Sequence, residues 1–254
     1  MFADDELYRR GTATLLASWA EYARGATGAA LHRLPGIAAA VFPSGPERSV
    51  YNNALLDRGL PAGERASAIE AMEAAYVTAG VDRFAAWVHE EDPAMRRDLE
   101  RHGYTVDETT CAMGVALDGL QVSRSDAALG PADWSEYLRL LDVPPGLLTG
   151  ADDTAFHVLV ARLDGSSVAT GMAFDHDNDC GIYNVTTLPP ARRRGLATAL
   201  TSRLLLDARA RGCRTASLQS TEMAERVYGA IGFRDLGRIL EYVPPRRSAS
   251  ARPA

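Results

Sequence analysis

Cysteine is scarce in this 254-residue chain: Cys111, Cys180 and Cys213 stand far apart and in no metal-ligand spacing. An odd, sparse set excludes a disulfide framework and predicts free thiols in a reducing compartment. Net basic charge is also lacking, with a formal charge of -6 and a pI near 5.4. That balance argues against an electrostatic grip on nucleic acid or an anionic membrane, because both need a cationic surface to displace counterions from phosphates. No stretch approaches the roughly 18 apolar residues of a membrane span, and the opening MFADDELYRR has no apolar core. The cytoplasm is therefore the expected location. What the chain does have is a 46% apolar content, enough to bury a core in one large domain or two small ones.

Apolar periodicity and turn chemistry set out an alternating pattern. Helices are expected near Asp5 to Arg24, Gly63 to Ala79, from Pro93 to His102, Ala132 to Leu141, Arg194 to Arg211 and Glu222 to Ile231. Strands are expected at Gly36 to Phe42, Arg48 to Leu56, Arg83 to His89, Tyr104 to Leu117, Ala155 to Leu163, Ser167 to Phe174, Gly181 to Leu188, Arg214 to Gln219 and Phe233 to Val243, with Asp164-Gly165 as a hairpin turn. From Asp118 to Gly130 the pattern lapses, which places a boundary between two halves, 1–118 and 131–243, followed by a tail, 244–254, with nothing to anchor it. The halves read as copies. Tyr51-Asn52 and Tyr183-Asn184 each end a strand before a helix, and Gly103-Tyr104 and Gly232-Phe233 each follow a short helix, at intervals of 52 and 49 residues.

One segment carries chemistry. From Asn184 the chain runs from strand through Leu188-Pro189-Pro190 into Arg192-Arg193-Arg194-Gly195-Leu196-Ala197-Thr198 and a helix. A helix start has unpaired N–H groups and a partial positive charge, so it is a natural seat for phosphate. Gly195 and the small Ala197 let backbone approach a ligand closely, and three arginines add charge. At these residues the chain resembles the GCN5-related N-acetyltransferase (GNAT) family, whose pyrophosphate loop reads Gln/Arg-x-x-Gly-x-Gly/Ala and appears as Arg192-x-x-Gly195-x-Ala197. About 30 residues on, Tyr228 stands four residues before Gly232-Phe233, in the order and spacing of that family, so the resemblance spans Ala155 to Val243. Where many members have asparagine seven residues before the tyrosine, this chain has Thr221.

The resemblance implies an α+β fold, a mixed central sheet flanked by helices, in two tandem copies. It implies acetyl-coenzyme A as co-substrate, held by Val185, Thr186 and Thr187, by Arg192, Arg193, Arg194, Gly195, Leu196, Ala197 and Thr198, and by Ser220 and Thr221. It further implies that Tyr228 protonates the departing thiolate after an amine attacks the thioester. The first half lacks the loop, with Glu64 at the helix start and Leu99 at the tyrosine position, and is expected to be a scaffold without cofactor. The acceptor is expected to be an amine on a small molecule, if the other half covers the cleft. Tyr183, Glu222, His157 and Asp175 are all open as general base. The run Asp175 to Gly181 lacks the glycine and glutamate positions of a calcium loop and reads as a hairpin tip with solvated charges, so no metal is expected. The rival from another class is a non-catalytic module that binds acyl-coenzyme A or a partner. Oligomeric state is not legible.

Overall fold

The computed structural model describes residues 2–45, 51–122, 127–143 and 148–245. Six helices and eleven strands follow in the order α1 (Asp4–Arg24), β1 (Ala30–Leu34), β2 (Ile37–Val41), β3 (Asn53–Leu56), α2 (Ala62–Thr78), β4 (Ala85–His89), α3 (Pro93–Arg101), β5 (Thr105–Ala116), β6 (Leu129–Pro131), α4 (Trp134–Leu140), β7 (Phe156–Leu163), β8 (Ser166–His176), β9 (Asp179–Thr187), α5 (Leu196–Ala210), β10 (Thr215–Ser220), α6 (Glu222–Ile231) and β11 (Arg234–Val243) among the described residues. The result is the expected mixed sheet flanked by helices. No helix of the described residues is long and apolar enough to cross a membrane.

The described residues form two compact units, those within 1–31 and 110–238 and those within 32–109 and 239–254. This division differs from the expected halves of 1–118 and 131–243 because α1 packs on strands far away in sequence, the end of β5 pairs with β10, and the end of β11 pairs with β4. Gly11 makes room for that contact, since a Cβ there would come within 2.6 Å of the Ser217 Cβ on β10. Arg10 donates from Nε to Thr215 Oγ1 (2.9 Å), and at the other end Tyr22 stacks on Phe156 of β7 with centroids 4.8 Å apart. Acidic Asp4, Asp5 and Glu6 in the first turn of α1 and Arg24 in the last suit the helix dipole.

In the first unit the strands run β5–β10–β9–β8–β7–β6, all antiparallel neighbours except the parallel pair β10 and β9. Helix α1 covers one face. Helix α5 covers the other, placing Leu196, Leu200 and Leu204 in the core, as their spacing requires. Both two-residue hairpins, Asp164-Gly165 and Asp177-Asn178, hold both central residues at positive φ (49° and 79°, 46° and 59°), matching the right-handed twist of the strands they join. In the second unit β2, β3 and β4 continue to the end of β11, with β3 and β4 parallel, and α2 and α3 packed beside them. Part of the strand expected from Arg48 and most of the tail lie outside the described residues.

Candidate active site

The parallel ladder between β9 and β10 has three registered pairs, Thr215 with Asp179, Ala216 with Cys180 and Ser217 with Gly181. Beyond them β10 stays on β5 as far as Ser220 with Cys111, while β9 stays on β8 as far as Thr187 with Ala169. The two strands therefore diverge. Along 182–187 the peptide groups of β9 that face away from β8 have no ladder partner on β10, and buried or half-buried peptide groups need one. A bulge lies just beyond the last pair. Two steps of β8, Met172 to Thr170, face three steps of β9, Tyr183 to Thr186, and Asn184 absorbs the extra residue at φ 53°.

At the open end, β9 delivers Val185, Thr186 and Thr187 to the loop. Thr187 gives its carbonyl to Arg192 Nε (3.1 Å), which ties the loop to the strand. Arg193 and Gly195 then turn the chain at φ 62° and 72°, and α5 begins with no side-chain cap. Its first closing bond runs from Ala199 N to Gly195 O (3.0 Å), so the N–H groups of Leu196, Ala197 and Thr198 have no acceptor within the helix. Arg192, Arg193, Arg194 and Gly195 are exposed, and a Cβ at Gly195 would meet nothing within 4 Å. The expected phosphate residues thus surround open space at an uncapped helix start. The Leu196 side chain is buried in the core, so only its backbone can serve a ligand.

Across the divergence, Ser220 ends β10 and donates from Oγ to the Thr221 carbonyl (2.9 Å). Thr221 precedes α6, but its exposed hydroxyl makes no cap bond. Tyr228 is 8% exposed, edge-on to Phe233 at 5.9 Å, in a cluster that includes Leu218 of β10 and Ile182 of β9, with the half-buried Val185 against it. Burial pushes its phenol up to about 12, so it holds its proton at neutral pH.

The candidates for general base separate on position and charge. The Tyr183 hydroxyl is buried over Gly181, faces Ser18 of α1, and is pushed up by burial, so it keeps its proton at neutral pH. His157, lowered by burial and by Arg211, lies on β7, separated from β9 by β8, beside Asp175 at 3.7 Å. Asp175 is held by two bonds from Arg211 (2.6 and 2.9 Å), and Glu222 is exposed. The hairpin Asp175 to Gly181 forms as expected, but its charges are not all solvated. Asp179 is 2% exposed and accepts from Thr215 Oγ1 (2.6 Å) and Ser217 Oγ (2.8 Å), which locks the closed end of the divergence. Sequence reasoning also missed Tyr137 of α4, whose hydroxyl accepts from Asn184 Nδ2 at 2.7 Å. The only signal was the αL-tolerant asparagine before the loop.

The second unit repeats the order without the opening. Three of the four residues of β3 pair with β4, α2 starts after Pro61 with Glu64 in its first turn, and Leu99 is fully buried where the first unit has Tyr228. A cleft of about 310 Å³ between α2 and α3 is lined by Arg65 and Arg101, but both are held by Asp98 (2.6 and 2.5 Å).

Residues 126–233 match the profile of the acetyltransferase (GNAT) family. Among solved structures, a GCN5-related N-acetyltransferase from Kribbella flavida superposes with a TM-score of 0.70 at 19% identity, covering 94% of this chain and 95% of that one. A GCN5-related N-acetyltransferase from Sphaerobacter thermophilus gives 0.60 at 17% identity over 96% of both chains. A tandem GNAT protein from the clavulanic acid biosynthesis pathway gives 0.61 at 13% over 97% of both. At these identities the likeness is one of fold. No curated protein matches the chain by sequence.

Proposed function

We propose that this chain, whose residues 126–233 match the acetyltransferase (GNAT) family profile, moves an acetyl group from acetyl-coenzyme A to an amine by direct attack. The observation that carries the reading is the parting of β9 from β10 next to an uncapped, arginine-flanked helix start. The residues fit such a co-substrate at both ends. The free N–H groups of Leu196, Ala197 and Thr198 and the side chains of Arg192, Arg193 and Arg194 would hold the diphosphate. The free edge of β9 at Val185 to Thr187 would pair with the amides of the pantetheine arm, and Ser220 and Thr221 would close the opposite wall.

When bound, the thioester supplies an activated acyl carbon. The acceptor nitrogen, neutral when it attacks, forms the C–N bond as the C–S bond breaks, and its surplus proton passes to solvent. Tyr228 gives a proton to the sulfur and regains one from water. A phenol held in its protonated form by burial suits that part, because it needs no prior protonation at neutral pH. An N–H of β9 facing the divergence would meet the charge that builds on the carbonyl oxygen. The acceptor belongs, in this proposal, to the small-molecule amines, and the cytoplasm is the proposed location.

The test is thiol release from acetyl-coenzyme A against aminoglycosides, polyamines, amino acids and N-terminal peptides. Turnover with one class supports the enzyme reading. Tight coenzyme binding with no turnover across the panel would support a binding module instead.

A further inference from the structure

The two copies of the Tyr-Asn pair use their asparagines differently. In the second unit Asn52 is fully buried and bonded on both sides of its carboxamide, with Oδ1 accepting from Phe42 N (2.7 Å) and Nδ2 donating to Gly45 O (2.9 Å). It fastens a loop. In the first unit Asn184 is exposed, sits at φ 53° on the bulge where β9 leaves β10, and donates from Nδ2 to Tyr137 Oη at 2.7 Å. Its Oδ1 has no partner among the described residues. Tyr137 is fully buried on α4 and tilted against Trp134 with centroids 5.0 Å apart, so the hydroxyl that fixes the carboxamide is itself fixed.

A residue held in the left-handed region persists where the surroundings over-determine it, and such positions gather at ligand clamps. The bulge makes Asn184 available to the opening on the face that carries α4, since an extra residue in a strand re-aims the side chains around it. Helix α5 occupies the other face, where Val185 and Leu204 both lie within 3.3 Å of a Cβ built at Gly171. The free oxygen is therefore an acceptor-only atom, on the face opposite α5, beside the stretch of β9 that the coenzyme arm would follow.

We infer that Asn184 Oδ1 accepts a hydrogen bond from an N–H of the acceptor amine and so orients its lone pair toward the acyl carbon, with Tyr137 as the positioning residue that sets the carboxamide. This rests on the acetyl-transfer reading above. Amide formation already requires a primary or secondary amine, and either keeps at least one N–H beside the attacking lone pair. A carboxamide is no base, so its role is alignment, and the proton balance of the transfer is unchanged.

Hydroxylamine is the probe: it is small and largely neutral at pH 7, which separates hydrogen bonding from deprotonation, and its uncatalysed reaction with the thioester is subtracted from every rate. Asn184→Gly removes the carboxamide yet tolerates positive φ, so the bulge can persist. The expected result is a KM for hydroxylamine raised about tenfold, the scale of one neutral hydrogen bond, with the Kd for coenzyme A unchanged by titration calorimetry. Tyr137→Phe should raise KM less, and the double variant should match Asn184→Gly alone, because the tyrosine acts through the asparagine. An unchanged KM in Asn184→Gly, or an equal loss of coenzyme affinity, overturns the inference alone. Wild-type chain that binds coenzyme A but acetylates neither hydroxylamine nor any amine of the panel above overturns the enzyme reading, and this inference with it.

Discussion

Tyr228 divides the enzyme reading from the binding-module reading at the level of one oxygen atom. Its ring packs in the core and its hydroxyl is the part assigned to chemistry, so Tyr228→Phe should leave folding intact. General acid catalysis is worth about 10²–10⁴-fold. The expected outcome is a kcat lower by about two to three orders of magnitude with coenzyme affinity unchanged, and equal activity in the variant would remove the assigned acid. Because burial holds the phenol protonated up to about 12, the step that needs its proton should show no alkaline loss between pH 7 and 10. An inflection near 10 that disappears in the variant would contradict that environment. The cysteines bear on the same chemistry. All three are buried free thiols, with Cys111 and Cys213 pushed up to about 12 and Cys180 also raised, in each case chiefly by burial. Thiols are poor nucleophiles, and direct transfer should leave no acyl-enzyme. Mass analysis of peptides after incubation with acetyl-coenzyme A alone should find Cys111, Cys180 and Cys213 unmodified. The sequence has 27 arginines and no lysine, so no lysine acetylation complicates the reading.

At the scale of elements, the end of β11 contains the clearest pH-dependent feature of the second unit. Glu241, in register with Trp87 of β4, is pushed up to about 7 by burial and by Glu108 and Asp107. Its folded value lies above the ordinary carboxylate value, so the folded chain keeps a proton that the unfolded chain has lost. The associated stability is fully present below about pH 4.5 and is lost as pH rises through about 7. Glu241→Gln should therefore stabilise the chain at pH 8, by an amount on the order of 1 kcal/mol after allowance for partial exposure, and matter little at pH 4. Denaturant melts at the two pH values check it, and equal shifts at both would rule it out. Elements with strong local patterns were the legible ones. The α5 stripe of Leu196, Leu200 and Leu204, the Asp164-Gly165 turn and the Gly232 stop each follow from one helix period or one positive φ. Strand β6, Leu129–Pro131, was missed because three residues hold no period, and β1, Ala30–Leu34, because its residues are half-buried or exposed and show no alternation. The placement of α1 depends on Gly11 meeting Ser217, a contact between distant residues that no local spacing encodes. The parting of β9 from β10 is a matter of register. Sequence supplied the residues on its rim, but neither the bulge at Asn184 nor the burial of Asp179.

For the whole molecule, two units that share a strand, helix, strand, helix run but differ at the first helix start should be stabilised unequally by one ligand. The first unit has the divergent strands and the uncapped start of α5, whereas in the second β3 and β4 stay paired and Glu64 occupies the helix start. A ligand that binds the folded form stabilises what it touches by mass action, about 2.7 kcal/mol at a hundredfold excess over Kd. Coenzyme A at that excess should slow hydrogen exchange at Leu196, Ala197 and Thr198, whose N–H groups lack helical acceptors, and along 182–187 of β9. The equivalent start of α2, Ala62 to Glu64, should exchange as fast as in the free chain, because its first turn presents a carboxylate to any phosphate. Adenosine without phosphates should protect neither segment if the diphosphate is the anchor. Protection at α2 instead of α5 would transfer the coenzyme to the other unit, and with it every role assigned to Tyr228, Asn184 and the arginines of the loop.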